Sequence, residues 1–245
     1  MALQKLPGGA TLEVFPDALG AARAGAAFVA ECALRAVAER GRCGLALSGG
    51  STPLPMFESL LRESLPWSAL QLFQVDERVV PLSDPARNAQ QLLRVFLHDG
   101  HFPEQSLHLI PVEGADPATS YARTLRDALG TPPVLDLVHL GLGEDGHTAS
   151  LVPGDAALDV ADVDVVEVAS YRGHPRVSMT FPVINRARQC CTLVSGEAKR
   201  NALAELSDGS ASVAGRPSGA RPHGSDHRRR AAARPRSSLV IRGPG

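Results

Sequence analysis

The first 206 residues alternate short apolar runs with longer segments in which apolar side chains recur every three or four positions. The short runs predict strands and the longer segments predict helices. Predicted strands cover residues 11–15, 43–47, 70–75, 135–142, 163–168, 177–181 and 190–194. Predicted helices cover residues 17–40, 53–61, 87–97, 116–129 and 197–206. Strands that alternate with helices at this spacing favour a single-domain, Rossmann-like α/β fold with a mostly parallel sheet and helices on both faces.

Two of the predicted helices carry recognisable end signals. Asp17 can accept a hydrogen bond from the unpaired N–H groups of the first helical turn. Gly41 suits the left-handed residue that ends many helices. Pro53 suits the first turn of the next helix, where its missing N–H has no intrahelical partner in any case. These three residues predict where the helices begin and end.

Three of the apolar runs pass directly into polar loops. Residues 43–47 lead into the sequence SGGSTP, residues 70–75 lead into DER, and residues 135–142 lead into a loop that carries Asp145 and His147. In open α/β sheets, ligands bind beyond the carboxyl ends of the strands. If the three strands are parallel neighbours, the loops together supply a phosphate cradle, carboxylates, an arginine and an imidazole. That set of groups suits an anionic, hydroxylated small molecule.

Each of these loops also has a simpler interpretation. The loop at His147 is also compatible with an ordinary polar turn, because histidine is common in surface loops. The SGGST segment can be a tight turn that caps the helix beginning at Pro53. Arginine and lysine side chains are most often solvated surface charges. The joint occurrence of the three loops favours a binding site over three separate coincidences.

The overall composition limits the class of protein. A chain of 245 residues with 44% hydrophobic content can bury one sizeable core. No apolar run is long enough to span a membrane, and the first residues lack the order of charged and apolar segments that marks a secretory signal. We therefore expect a soluble, cytoplasmic protein. The cysteines show no CxxC spacing and are expected to be reduced core residues: Cys32, Cys43, Cys190 and Cys191.

The last 39 residues, 207–245, differ in character from the rest. They contain eight arginines against two aspartates and no aromatic residue, so this segment carries a charge of +6 while residues 1–206 carry −7. Only four large apolar side chains are available to offset the entropy of ordering it. We predict a disordered tail. Its charge raises the alternative of nucleic-acid binding, which the absence of aromatic stacking groups and of any recognisable fold argues against.

Five motifs, in order along the chain, resemble those of the 6-phosphogluconolactonases, which belong to a wider group that includes glucosamine-6-phosphate deaminases. The motifs are SGGSTP (48–53), VDERVVP (75–81) with Asn88 beyond it, GLGEDGHTASLVPG (141–154), PRVSMTFPVIN (175–185) and SGEAK (195–199). The resemblance covers about residues 10–206. Five motifs in the same order are far more specific than any one of them.

The resemblance implies hydrolysis of 6-phospho-D-glucono-1,5-lactone to 6-phosphogluconate, without a metal ion or organic cofactor. His147 is the candidate base, since an imidazole titrates near neutral pH and a single base directing water at an activated ester can suffice. Asp145 and Asp76 are candidates for orienting the imidazole or for binding sugar hydroxyls, and the sequence does not separate these roles. We also expect a monomer or a weak homo-oligomer that binds neither nucleic acid nor membrane.

The substrate-binding candidates come from all of these loops. Glycines in the SGGST segment allow close approach of backbone N–H groups to a phosphate, and cationic side chains can neutralise its charge. The full set is Ser48, Gly49, Gly50, Ser51, Thr52, Arg78, Asn88, Gly143, Gly146, Arg176 and Lys199.

The chain departs from the family's pattern after Leu206. Family members usually continue with an extended segment and a final strand, whereas this chain has the arginine-rich tail. The sequence DHRRRAAARP is what a GC-rich gene gives when a segment encoding something like ITADA is read one nucleotide out of register. We therefore hypothesise a frameshift near Leu206 and expect a sheet that lacks its closing strand, with lower stability.

Two alternative functions stay open on the sequence. A glucosamine-6-phosphate deaminase would share the sheet and a DGH loop, but this chain has DER where deaminases tend to have DEY. It also has ASLVPG where they tend to have AFNEPG, so an acidic group expected for ring opening is missing. The second alternative is a non-catalytic sugar-phosphate sensor, in which His147 would have no necessary task.

Overall fold

The computed structural model of the protein describes residues 2–5, 10–98, 100, 102–199, 201–202 and 238–243. An eight-stranded sheet runs through the centre of these residues. Its strands are β1 (Ala2–Lys5), β2 (Thr11–Val14), β3 (Cys43–Leu47), β4 (Leu70–Gln74), β6 (Leu107–His108), β7 (Leu137–Leu140), β10 (Gln189–Ser195) and β11 (Ser238–Gly243). They lie side by side in the order β1-β2-β11-β10-β7-β3-β4-β6. All neighbouring pairs are parallel except the β1–β2 pair.

Helices cover both faces of this sheet. The helices are α1 (Ala18–Arg40), α2 (Leu54–Leu60), α3 (Asn88–Leu92), α4 (Pro117–Leu129) and α5 (Phe181–Arg186), and α3 continues as a π-helix over Leu93–Leu97. Helices α1, α2 and α3 pack into one apolar core, and α4 and α5 pack into a second core on the opposite face. The predicted α/β class with a mostly parallel, helix-covered sheet is confirmed.

The ends of α1 follow the sequence signals. The Asp17 carboxylate accepts a hydrogen bond of 2.6 Å from the backbone N–H of Gly20. Gly41 adopts a left-handed conformation with φ 72°, and its N–H donates to the carbonyl of Val37. Because these contacts involve residues close in sequence, their prediction required no knowledge of the tertiary fold.

A second, antiparallel sheet of three strands was not predicted. Its strands are β5 (Asp76–Arg78), β9 (His174–Met179) and β8 (Val165–Tyr171), in the order β5-β9-β8. The chain leaves the main sheet after Gln74 and enters this small sheet at Asp76, so the DER motif belongs to the second sheet. The strand predicted for residues 177–181 ends earlier than expected, because Phe181 begins α5.

The predicted disorder of the tail is wrong for its last described residues. Ser238–Gly243 forms β11, which pairs in parallel with β10 on one side and with β2 on the other. A strand inserted between two others pairs its backbone N–H and C=O groups on both sides. These backbone hydrogen bonds stabilise the strand in addition to any burial of its side chains. The expected loss of a closing strand is therefore also wrong, while residues 207–237 lie outside the described residues.

The four cysteines are free and buried, as predicted. Burial raises the pKa of each thiol, for example that of Cys32 to about 11, so all four stay protonated and unreactive near neutral pH. Among the described residues, no helix is both long enough and apolar enough to cross a bilayer.

The position of β11 predicts that its removal opens the centre of the sheet. Deletion of residues 238–245 would leave the facing edges of β10 and β2 without partners, and we expect the midpoint of thermal unfolding to fall by at least about 5 °C. Deletion of residues 244–245 alone is the matched control and keeps every recorded β11 pairing. Equal midpoints for the two deletions, measured by circular dichroism, would contradict the role of β11.

The imidazole of a buried histidine on β7 has no hydrogen-bond partner among the described residues. His139 is 1% exposed, and neither ring nitrogen is paired. The ring stands edge-on to Phe57 with 5.9 Å between ring centroids. Burial lowers the pKa of His139 to about 3, so the ring is neutral in the folded protein at any physiological pH.

His139 therefore makes stability depend on pH. The unfolded chain binds a proton at this ring below its ordinary pKa of 6.5, whereas the folded protein does not until about pH 3. Between these values the unfolded state holds more protons, so stability falls as the pH falls, by about 1.4 kcal/mol per unit from this residue. Relative to the His139→Leu variant, the wild type should lose about 2 kcal/mol between pH 6.5 and pH 5. Urea unfolding of both proteins at each pH measures this; a constant difference would refute it.

Candidate active site

Four loops meet at one edge of the main sheet. They follow β10, β7, β3 and β4, which are consecutive parallel neighbours, so their carboxyl ends lie on the same side. The three strands before the SGGSTP, DER and DGH segments are parallel neighbours, so the condition stated from the sequence is met. The order of the strands puts the loop with His147 between the loop with Lys199 and the loop with Ser48.

Asp145 and His147 form a hydrogen-bonded pair in the loop after β7. Oδ1 of Asp145 lies 2.5 Å from Nδ1 of His147. A carboxylate at that distance fixes the ring proton on Nδ1. The second ring nitrogen, Nε2, has no recorded hydrogen bond to a described residue, and the side chain is 21% exposed. The lone pair on Nε2 is therefore open to accept a proton.

The carboxyl of Asp145 is held in its charged form. Partial burial acts to raise its pKa, but hydrogen bonds from Tyr171 and His147 outweigh burial and hold the pKa well below its ordinary value. The hydroxyl of Tyr171 donates to Oδ2 of Asp145 at 2.6 Å, so the two carboxylate oxygens have different partners. A permanently charged carboxylate stabilises the imidazolium that forms when His147 accepts a proton.

Gly143 makes room for this pair. A Cβ atom at this position would overlap the ring of His147 and the carboxylate of Asp145. The N–H of Gly143 donates to the carbonyl of His147 at 2.7 Å and closes the loop. Gly146 has φ 84°, a conformation that glycine adopts without strain. These two predicted site residues shape the loop through their backbones.

Asp76 lies in the same rim but does not touch the imidazole in any recorded contact. Its Oδ2 accepts a 2.6 Å hydrogen bond from the hydroxyl of Ser150, which belongs to the loop that carries His147. The same oxygen lies 3.8 Å from Nη1 of Arg176. Between the two aspartates that the sequence left undecided, the structure brings Asp145 to the imidazole and Asp76 to a guanidinium.

Arg78 and Arg176 face each other across the β5–β9 pair. Arg176 is 6% exposed, and its pKa is lowered by burial and by the nearby charges of Arg78 and Arg172. Nε of Arg78 is buried and has no hydrogen-bond partner among the described residues. Arg78 and Arg172 both lie near Arg176, which pairs with the Asp76 carboxylate at 3.8 Å. Such a cluster of guanidinium groups suits an anionic ligand.

Glu77 organises the DER segment from within the core. It is fully buried, forms an ion pair of 3.3 Å with Arg87, and was not singled out from the sequence. Four N–H groups donate to its two oxygens at 2.8 Å, from the side chain of Gln74 and the backbone of Arg78, Asn88 and Ala89. Because these donors belong to both β5 and α3, Glu77 fixes the position of Arg78 relative to Asn88.

Asn88 lies against the turn that follows β3. A Cβ atom at Gly49 would overlap the Asn88 amide, so only glycine allows this approach. Nδ2 of Asn88 donates to the carbonyl of Asp76 at 3.1 Å, while its Oδ1 is buried without a partner. The hydroxyl of Ser48 is also buried without a partner among the described residues. Both unpaired atoms lie at the turn that follows β3, and each has capacity for a further hydrogen bond.

The backbone of the SGGST turn is only partly free for a phosphate. The N–H of Gly50 donates to Oε1 of Gln91 at 2.9 Å, and that of Ser48 donates to the carbonyl of His139. No protein acceptor is recorded for the N–H of Ser51 or Thr52 among the described residues. The predicted cradle is therefore smaller than the sequence suggested.

Lys199 lies in a short 3-10 helix, Glu197–Lys199, after β10. Its Nζ is 4.0 Å from a carboxylate oxygen of Glu144, in the neighbouring loop that carries His147. Lys199 follows β10, whereas Arg78, Arg172 and Arg176 belong to the second sheet and its hairpin turn. The helix predicted for residues 197–206 is described only as far as residue 202, with Arg200 outside the described residues.

Comparison with known proteins decides the family. The model of the family described as glucosamine-6-phosphate isomerases/6-phosphogluconolactonase matches residues 16–225. The chain belongs to this family. The match extends 19 residues beyond Leu206, at which the resemblance of the motifs ends.

Several family members are similar along most of this chain. A 6-phosphogluconolactonase from Synechocystis is 42% identical over 180 residues, which cover 70% of this chain and 74% of the relative. The human GDH/6PGL endoplasmic bifunctional protein is 41% identical, over 69% of this chain and 22% of the human protein. The crystal structure of the Thermotoga maritima 6-phosphogluconolactonase has a TM-score of 0.77 at 23% identity, covering 96% of this chain and 99% of that one.

The buried carboxylate of Glu77 predicts a large effect for Glu77→Gln. A glutamine would turn an NH₂ group towards N–H donors and leave Arg87 without its buried partner, so we expect the free energy of unfolding to fall by about 3–5 kcal/mol. Lactone-hydrolysis assays of the folded fraction should show a raised KM, since Arg78 and Asn88 lose their common anchor.

Glu113→Gln is the matched control. Glu113 also pairs with Arg87, at 2.7 Å, but its side chain is 58% exposed. An exposed ion pair contributes less than about 1 kcal/mol. Denaturant unfolding of both variants tests the comparison, and similar losses of stability would contradict the organising role of Glu77.

Proposed function

We propose that this protein hydrolyses 6-phospho-D-glucono-1,5-lactone to 6-phosphogluconate, the second step of the oxidative pentose phosphate pathway. One observation carries the proposal: His147 is paired with a charged aspartate through Nδ1 and has an open Nε2 at the rim where cationic side chains converge. The names of the similar family members support the same reaction.

The proposed chemistry needs one base and one water molecule. Nε2 of His147 takes a proton from water, and the resulting hydroxide attacks the carbonyl carbon of the lactone. As the tetrahedral intermediate collapses, the bond to the ring oxygen breaks, and the imidazolium returns the proton to that oxygen. Asp145 holds the ring in the required tautomer and stabilises its charged form, as a carboxylate does for a histidine base in other hydrolases.

The substrate's phosphate and hydroxyl groups find complementary partners at the same rim. We assign the phosphate to the excess positive charge of Arg78 and Arg176, with Lys199 as a further cation on the opposite side of His147. The unpaired hydroxyl of Ser48 and amide oxygen of Asn88 suit the sugar hydroxyls. A buried polar atom without a partner is costly, and binding of the substrate removes that cost.

A deaminase reaction is less well supported. The segment after His147 reads TASLVPG, so Val152 stands where deaminases tend to have the acidic residue expected for ring opening. A pure binding function would leave the Asp145–His147 pair without a task. Cytoplasmic location, a monomeric or weakly oligomeric state and the absence of nucleic-acid binding stay predictions from the sequence.

The decisive experiment is the His147→Gln variant. Removal of a general base should lower kcat for lactone hydrolysis by about 10²- to 10⁴-fold, while 6-phosphogluconate still binds, because glutamine keeps the polarity of the position. Acid release, corrected for the spontaneous hydrolysis of the lactone, gives kcat, and calorimetry gives the binding.

Glucosamine 6-phosphate provides the second arm of the test. The wild type should release acid from the lactone and no ammonia from the amino sugar. Unchanged lactone hydrolysis by His147→Gln would remove His147 from the mechanism. Ammonia release by the wild type would overturn the proposed reaction itself.

A further inference from the structure

Tyr171 lies at the tip of the β8–β9 hairpin, next to the Asp145–His147 pair. Its hydroxyl donates to Asp145 at 2.6 Å and lies 3.3 Å from Nδ1 of His147. The two rings meet edge-on with 5.1 Å between centroids. No sequence motif pointed to this residue.

The hairpin holds the tyrosine in place by its own geometry. Tyr171 pairs with His174 across a two-residue turn formed by Arg172 and Gly173. Both turn residues have positive φ, 51° and 86°, as the tight turns of two-residue hairpins require. A positive φ is unfavourable for arginine, and strained residues of this kind concentrate at functional sites.

Two guanidinium groups lie over the ring of Tyr171. The Arg176 guanidinium lies 5.2 Å from the ring centroid and that of Arg172 lies 5.4 Å away. Arg176 also donates from Nε and Nη2 to the backbone carbonyl of Tyr171, at 3.4 and 3.3 Å. The residue is thus restrained at its backbone, its ring and its hydroxyl, and it links the arginine cluster to Asp145.

We propose that Tyr171 is a positioning residue for the catalytic pair, whose hydroxyl holds the Asp145 carboxylate in the one orientation that presents Oδ1 to His147. The inference rests on the proposed role of His147 as the base. Asp145 is 38% exposed, and the ring and the backbone N–H of His147 both contact Oδ1, the latter at 3.3 Å. Tyr171 holds the other oxygen, Oδ2, which would otherwise turn towards solvent. The orientation of the carboxylate sets how strongly Asp145 stabilises the imidazolium, so Tyr171 acts on the base through Asp145.

Charged groups surround Tyr171 on its own strand pair and in the neighbouring loops. Groups facing Tyr171 are Asp145, His147, Arg172 and Arg176, and His174 is its partner on the neighbouring strand. Glu144 and Lys199 pair with each other in the adjoining loops. Burial, and next to it Asp145, raise the pKa of Tyr171, so the phenol keeps its proton and stays a donor near neutral pH. Removal of the hydroxyl changes none of these other charges.

Tyr171→Phe is the direct test, because it keeps the ring and removes only the donor. We expect kcat for lactone hydrolysis to fall about tenfold, the effect of losing one hydrogen bond to a charged group, with KM nearly unchanged. The acid limb of the pH profile should move to lower pH, because a carboxylate that turns away from Nδ1 stabilises the imidazolium less. A structural role alone would lower activity without moving the limb.

Ser170→Ala is the matched control. Ser170 is exposed on the same strand, and the substitution removes a hydroxyl one residue away without touching Asp145. Its kcat and pH profile should equal those of the wild type. Thermal midpoints of both variants identify any loss of folding.

A double variant separates this inference from the proposed function. If Tyr171 acts through His147, adding Tyr171→Phe to His147→Gln should cause no further loss. An inactive His147→Gln beside a Tyr171→Phe variant with wild-type kcat and pH profile overturns the positioning role alone. The same tenfold loss in both backgrounds also overturns it, whereas a fully active His147→Gln defeats the proposed mechanism instead.

Discussion

Parallel pairing of β10, β7, β3 and β4 is the constraint on which the rest of this structure depends. Parallel strands point their carboxyl ends in the same direction, so the loops that follow them converge even though they are far apart in sequence. The helices that return the chain cover both faces with apolar side chains. The polar groups that follow each strand therefore lie together at the uncovered edge of the sheet.

The second sheet contributes further side chains to that edge of the main sheet. It carries Asp76 and Arg78 on β5, Arg176 on β9 and Tyr171 on β8, so it delivers both the positive charge and the hydroxyl that reaches Asp145. Glu77 ties this sheet to α3 through buried hydrogen bonds. The buried charge of Glu77 thus positions other residues of the site. Asp145 and His147, to which we assign the chemistry, are partly exposed.

The described end of the chain shows how backbone pairing can outweigh composition. Judged by its side chains, the arginine-rich segment offers little to bury. Six of its residues nevertheless form β11, because a position between β2 and β10 supplies hydrogen-bond partners on both sides. The frameshift hypothesis concerns the origin of the segment and stays a prediction, but the expectation of an unclosed sheet no longer follows from it.

The sequence by itself determined the features that depend on residues near one another in the chain. Asp17 and Gly41 mark the ends of α1, the apolar runs mark the strands, and the motifs identify the family. Only the tertiary structure decided which distant groups meet. It brought Tyr171 to Asp145, and Ser150 and Arg176 to Asp76. The physical reason is that these contacts depend on strand order and on a hairpin's twist, which no local pattern of residues encodes.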